Sequence, residues 1–210
     1  MSSTPRRWSR GLRVRQKTYL KIPRERIGVL IGPNGKAKKR IEDHFGVTLE
    51  IDSESGSVEI ALNEGNRNIT AIFVVRNTVK AIGRGFSPKR VEILAKEDYD
   101  LHVIDLTEYV GTSKNAVARV KGRIIGKAGR SRALIEELTE TNISVYGDTI
   151  AYIGSPEGLE AAREAIMMLV QGSFHKTVWN YLYAWRRKMK KDRGELWYES
   201  PEQKAELRKK

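Results

Sequence analysis

The 210-residue sequence contains no cysteine, which excludes disulfides and thiolate metal sites. Its three histidines, His44, His102 and His175, are scattered and offer no metal-ligand spacing. No apolar run reaches membrane length, and no signal peptide is recognisable. The expectation is a soluble, cytoplasmic protein. Asn68-Ile69-Thr70 and Asn142-Ile143-Ser144 match the glycosylation pattern but lack a secretory context. A Walker-type nucleotide site is excluded as well. Gly35-Lys36-Ala37 has neither the upstream glycine at P-loop spacing nor a Ser or Thr after the lysine.

Acids are missing from particular places. Residues 1–24 carry eight basic residues and no acid, and residues 186–193 carry six basic residues against one acid. These two flanks, at +8 and +5, account for the whole net charge of +13, so the remainder is neutral. A neutral body with basic flanks suits a polyanionic partner, most simply nucleic acid.

What the chain does have is an internal repeat. Ile27–Ile41 (IGVLIGPNGKAKKRI) and Val120–Leu138 (VKGRIIGKAGRSRALIEEL) share an apolar residue, a Gly-x-x-Gly turn and a basic, then apolar, helical pattern. Ile31 aligns with Ile125, Gly32 with Gly126, Gly35 with Gly129 and Ile41 with Ile135, each at an offset of 94 residues. Glycine pairs at this spacing arise by chance roughly 1.5 times in such a sequence, so the context has to carry the argument. Both turns join two short helices at matching places of the repeat.

Periodicity predicts the same order in each unit. In the first, strand Tyr19–Ile22 leads to helix Arg24–Ile31, the turn, helix Lys36–Phe45 with Gly46 as its left-handed cap, a hairpin of Val47–Ile51 and Val58–Leu62, and helix Asn66–Ile82. In the second, strand Leu101–Tyr109 leads to helix Ser113–Ile125, the turn, helix Arg130–Thr141, a hairpin of Ile143–Tyr146 and Thr149–Ile153, and a helix capped by Ser155 with Pro156 at its first position. Gly83–Lys89 reads as a flexible link, with a helical turn at Val91–Leu94. An added helix, Ser173–Lys191, places Val178, Leu182, Trp185 and Met189 on one stripe, expected to pack on its own domain. The predicted organisation is a basic flexible arm at 1–17, units at 18–84 and 99–172, a linker at 85–98, the added helix at 173–191 and a charged tail at 192–210.

A glycine pair lets backbone approach a phosphate, and the amides of a following helix N-terminus donate to it. Lys36, Lys38, Lys39 and Arg40 follow the first turn; Arg123, Lys127, Arg130 and Arg132 surround the second. Such runs can be solvated helix faces. Cations at a helix start are otherwise disfavoured, so they point to bound phosphate. Ile125, Ile135 and Ile143 read as core, with one of them positioned to meet a base. Asp98, Asp100, Asp105 and Glu108 raise the alternative of a metal-dependent ribonuclease. Asp105 and Glu108, three apart on an alternating strand, would point to opposite faces and could not converge on metals.

The Ile31-Gly32-x-x-Gly35 and Ile125-Gly126-x-x-Gly129 cores, with the strand-helix-helix-strand-strand-helix order, resemble the KH domain of type I. The implied fold class is α+β, two tandem type I KH domains (β-α-α-β-β-α each) with an extra C-terminal helix. KH modules clamp about four nucleotides of single-stranded nucleic acid at the Gly-x-x-Gly loop. The RNA-binding residues carried over by this resemblance and by the charge argument are Arg123, Ile124, Ile125, Gly126, Lys127, Ala128, Gly129, Arg130 and Arg132. In the first unit they are Gly32, Asn34, Gly35, Lys36, Lys38 and Lys39. One departure is shared: the position three after the second glycine, usually apolar in KH domains, is Lys38 or Arg132.

That departure, with Leu101–Gly111 (LHVIDLTEYVG) and Val170–Leu182 (VQGSFHKTVWNYL), resembles the ribosome-assembly KH proteins called Krr and partner-of-Nob, in their short archaeal form. The resemblance covers roughly residues 18–185. It implies a non-catalytic assembly factor, without cofactor or metal, on small-subunit ribosomal RNA precursor near its 3′ end, beside the maturation endonuclease Nob. Pro33 removes one amide donor from the first loop, so the second unit is expected to be the main RNA reader. Alternatives are a general single-strand or messenger-RNA regulator, the ribonuclease above, and a protein-binding scaffold.

Overall fold

The structure, a computed structural model, describes residues 16–196; most of the expected basic arm (1–15), Trp8 included, and the tail at 197–210 lie outside the described residues. The chain divides into two compact units, Met1–Lys80 and Ala81–Lys210.

The first unit contains β1 (Lys17–Lys21), α1 (Arg24–Ile31), α2 (Lys36–Phe45), β2 (Val47–Ile51) and β3 (Ser57–Leu62), and most of α3 (Thr70–Gly83), whose last turn belongs to the second unit. The sheet is antiparallel with order β1-β3-β2. Leu49 pairs with Ile60 and Ile51 with Val58, so alternation puts one apolar face on the helices. Leu30, Leu49, Val58 and Ile60 are fully buried there. α2 ends at Gly46 in the left-handed region (φ 62°, ψ 45°), as its place in the sequence predicts.

Helix α3 starts at Thr70, four residues later than periodicity suggests. Asn66 explains the delay. Its side-chain amide donates to the Phe45 and Gly46 carbonyls, at 3.0 and 2.9 Å, and its Oδ1 accepts from the Asn68 amide. Asn66 therefore closes the end of α2 and holds its own segment in a turn.

The second unit contains β4 (Asp100–Asp105), α5 (Thr107–Val110), α6 (Lys114–Ile125), α7 (Arg130–Thr139), β5 (Asn142–Tyr146), β6 (Thr149–Gly154), α8 (Pro156–Val170) and α9 (His175–Leu196). Its sheet repeats the first, in the order β4-β6-β5. Ser155 caps α8 by accepting from the Gly158 amide. Its hairpin is tighter. Ile143 pairs with Tyr152 where Leu49 pairs with Ile60, so the offset falls from 94 to 92 across a two-residue turn, Gly147-Asp148.

Four expectations fail in the second unit, each for a local reason. The strand read as Leu101–Tyr109 stops at Asp105. The Asp105 carboxylate accepts from the Thr107 amide (2.9 Å) and hydroxyl (2.7 Å), Leu106 turns into the core, and Glu108 sits on α5 rather than on a strand. Those bonds also hold the Asp105 carboxyl below the usual range. Helix α7 ends at Thr139 instead of Thr141, because Glu140 adopts the left-handed conformation (φ 55°, ψ 34°). The 83–98 stretch is no free link: α4 (Pro88–Val91) and a 3-10 turn at Glu92–Ala95 bury Phe86, Val91 and Leu94. Ser144 Oγ donates to the Arg84 carbonyl, which fixes this stretch to the sheet. Finally, α9 begins at His175 and continues five residues past Lys191.

Val178 and Leu182 of α9 join the second core with Ile124, Ile135, Ile143, Tyr152 and Ile166, so the added helix packs on its own domain. Trp185 and Met189 on the same stripe are half-buried. Among the described residues, no helix is long and apolar enough to cross a membrane.

Candidate nucleic-acid interface

The two Gly-x-x-Gly loops have nearly the same backbone. Gly32 and Gly126 lie at φ/ψ of 71°/176° and 69°/177°, Asn34 and Ala128 at 51°/31° and 52°/31°, Gly35 and Gly129 at 72°/9° and 76°/8°. Pro33 therefore does not distort the first loop. The loops differ in side chains and in the amide that Pro33 lacks.

Within each loop the two glycines do different work. Gly126 occupies a region that essentially only glycine reaches. A Cβ there would lie 2.2 Å from Ser131 Oγ and 2.7 Å from Ser131 Cβ. At Gly32 it would meet Ala37 Cβ at 2.6 Å. The first glycine therefore lets the following helix pack against the turn. At Gly35 and Gly129 a Cβ would meet nothing within 4 Å. The second glycine faces open space, where a phosphate can approach the backbone. Ala128 holds a left-handed conformation that costs an alanine about 1 kcal/mol, whereas the equivalent Asn34 tolerates it.

Lys127, Ala128 and Arg130 are exposed around the second loop, and Arg132 and Ile125 are half-buried beside it. Arg123 and Ile124 are not part of this surface. Arg123 Nε donates to the Leu169 carbonyl (3.2 Å) and its Nη2 to that of Ser173, so its charge closes the end of α8. Ile124 is fully buried, as are Ile135 and Ile143, which leaves Ile125 as the apolar residue able to touch a base. In the first unit Asn34, Lys36 and Lys39 are exposed and Lys38 is half-buried. Lys36 and Lys39 line a shallow depression with Asp43 and His44.

The shared basic departure has a partner in both repeats. Lys38 Nζ lies 3.8 Å from Glu42, and Arg132 Nε lies 3.9 Å from Glu136. Each glutamate also accepts the amide of a buried residue of the following strand, Leu49 at 2.8 Å or Ile143 at 2.6 Å. The same 94-residue offset relates the two glutamates. In the second unit Arg90 of α4 also reaches Glu136 (2.5 Å) and Asn142 (2.9 Å). Glu136 is thereby neutralised without Arg132, whose buried Nε makes no hydrogen bond. No pattern in the sequence marks Arg90, because its role depends on how its segment packs.

Asp105 is held by Thr107, and the Asp100 carboxylate accepts the Leu101 amide. Among the described residues there is no group of three or more His, Asp or Glu able to hold a metal ion.

Two β-α-α-β-β-α units, each with a glycine pair joining its first two helices, define a tandem KH protein of type I. Comparison with known proteins agrees. Residues 100–187 match the model described as the eukaryotic type KH-domain (KH-domain type I), and residues 17–72 match the KH domain model. The chain is 46% identical to the KH domain-containing protein MJ0443 of Methanocaldococcus jannaschii, over 85% of this chain and 78% of that one. It is 24% identical to the pre-rRNA-processing protein PNO1 of Candida albicans over 72% of this chain, spanning 55% of that protein. It matches a chain in the crystal structure of the a/eIF2alpha–aDim2p–rRNA complex from Pyrococcus horikoshii OT3 with 42% identity and a TM-score of 0.80, covering 84% of this chain and 97% of that one. The chain belongs to the PNO1/Dim2 family of two-KH RNA-binding proteins.

Proposed function

We propose that this protein is a small-subunit ribosome assembly factor that binds precursor ribosomal RNA near its 3′ end, with the second KH domain as main reader. The observation that carries this is the second loop: open space over Gly129, flanked by the exposed cations Lys127 and Arg130 at the start of α7. Phosphate contacts there give affinity, and bases lying on Ile125 give preference. The protein acts without catalysis, in the cytoplasm. The first domain, with one loop amide fewer, supports this contact or meets protein, the endonuclease Nob among its partners.

The test is RNA binding at moderate salt, with a single-stranded segment from the 3′ end of small-subunit ribosomal RNA against a composition-matched scramble. Gly129→Asp places a negative charge at the phosphate site in a conformation Asp tolerates, and Gly129→Asn is its neutral control. The expected result is a preference of about tenfold or more, equivalent to about 1.4 kcal/mol, abolished by Gly129→Asp and largely kept by Gly129→Asn. Equal binding to both RNAs refutes the specific reading. Equal losses from Gly35→Asp and Gly129→Asp refute the asymmetry.

A further inference from the structure

Among the described residues, helix α9 has one face that neither the core nor an ion pair uses. Its buried stripe, Val178 and Leu182, faces the second core. Roughly opposite, at successive helical turns, stand Lys176, Asn180, Tyr183, Arg187 and Lys190, all exposed. From Lys176 to Lys190 this stripe runs about 21 Å at the helical rise. The only acid between His175 and Gly194 is Asp192, which points to the other side. Among the described residues, Lys176, Arg187 and Lys190 have no acidic partner.

The basic run at 186–193 is therefore divided in two. Arg186 donates to Glu140 at 2.6 Å, and Arg193 lies 3.4 Å from the same carboxylate. These two fasten α9 to the end of α7. Arg187 and Lys190 remain turned outward. The other end of the helix is fixed beside the KH loop. His175 Nε2 lies 2.9 Å from the Arg123 carbonyl, three residues before Gly126. The stripe thus begins next to the turn that leads into the Gly-x-x-Gly loop and runs away from it.

We infer that this face of α9 is a second binding surface for the same single-stranded RNA, a rail that continues the strand beyond the KH groove. The inference rests on the RNA reading above. Its chemistry is that of a strand-tracking surface: cations spaced along one line for phosphates, an aromatic ring for a base and an amide between them. A protein partner fits less well, since protein interfaces are depleted in lysine and built around apolar anchors. Tyr183 is the only apolar side chain of the stripe, and it carries a hydroxyl.

The test uses the full chain and two single-stranded RNA probes from the same ribosomal segment. One has about four nucleotides, the length of a KH footprint; the other is roughly ten nucleotides long, enough to continue past that footprint. The double variant Arg187→Ala/Lys190→Ala should bind the short probe as the wild type does. It should bind the long probe several-fold more weakly, with a salt slope less steep by about 0.7 per charge removed. Tyr183→Ala should lose about fivefold or more on the long probe alone, by the usual value of one base stack, and Tyr183→Phe should keep it. Wild-type affinity and slope for the long probe in the double variant overturn the inference and leave the stripe to a protein. Equal losses on both probes also overturn it. The groove itself is tested separately: if Gly129→Asp leaves the short probe unaffected, the KH reading fails, whatever α9 does.

Discussion

Replacing Gly126 and Gly129 one at a time separates folding from binding. Gly126→Ala puts a side chain into a glycine-only region, which costs about 1–3 kcal/mol. It also drives a Cβ to 2.2 Å from Ser131 Oγ and 2.9 Å from the Ser131 amide nitrogen. Ser131 is buried and cannot swing away freely. Overpacking of this kind adds about 1–3 kcal/mol. The sum, about 2–6 kcal/mol by those two effects, is a large share of a typical stability of about 5–15 kcal/mol. Gly129→Asn meets nothing within 4 Å and enters the ordinary left-handed region, which Asn tolerates. Its cost should stay below about 1 kcal/mol. Denaturant unfolding at constant m-value reads both differences. A midpoint for Gly126→Ala no lower than that for Gly129→Asn would refute the division of labour between the glycines. The same result would make Gly126→Asp a clean probe of binding. On the present geometry that variant loses RNA partly because the loop no longer packs.

Arg90→Ala should weaken RNA binding, because Glu136 is then left with Arg132 as its cation; a double-mutant cycle checks this, with Arg132→Ala costing less affinity in the Arg90→Ala background. Phe86, almost wholly buried, should cost the second unit about 3–5 kcal/mol when cut to Ala; a loss under about 1 kcal/mol, the range of an uncoupled surface site, would restore the flexible link. Glu140 is held below the usual Glu value of 4.5, first by its hydrogen bond from Arg186 and further by the charges of Arg186 and Arg193. Its contribution is therefore fully present above that value and is lost as pH falls through the lower folded one, with Glu140→Gln flattening the acid limb of α9 amide protection. Glu140 is exposed and Arg186 half-buried, so solvent screening should keep the effect under about 1 kcal/mol. Arg123→Ala removes two carbonyl contacts at the end of α8 and should cost about 2 kcal/mol, read as faster amide exchange at the start of α9 while the KH loop keeps its RNA.

The parts of this molecule legible in its sequence are those that local chemistry decides. Helices Arg24–Ile31 and Lys36–Phe45 and strand Val47–Ile51 stand where periodicity places them, because glycine and proline punctuate each one. Both loops were visible for the same reason. What was not legible depends on side chains that reach across the fold. Asn66 delays a helix by bonding carbonyls 20 and 21 residues away. Arg123 looks like a loop cation by position and is a helix cap by contact. Phe86 looks like part of a glycine-rich link and is buried.

The differences between the repeats follow the same logic and bear on the proposed asymmetry of the two readers. At the offset of 94, Gly46 becomes Glu140, and both positions are left-handed. A glutamate there is strained by about 1 kcal/mol, and its carboxylate is held by Arg186 and Arg193 of a helix that the first repeat lacks. Likewise, among the described residues Lys38 has only Glu42 to answer it, whereas Arg132 shares Glu136 with Arg90, contributed by the segment between the repeats. In the second unit, then, chain added outside the KH framework bonds Glu136 of α7 and Glu140 at its end. Those acids are neutralised from behind. Lys127, Arg130 and Arg132 are left to face a polyanion, which is the state an RNA reader needs before RNA arrives. The first unit has the same loop backbone without these additions, and there Lys38 is answered by Glu42 of its own helix.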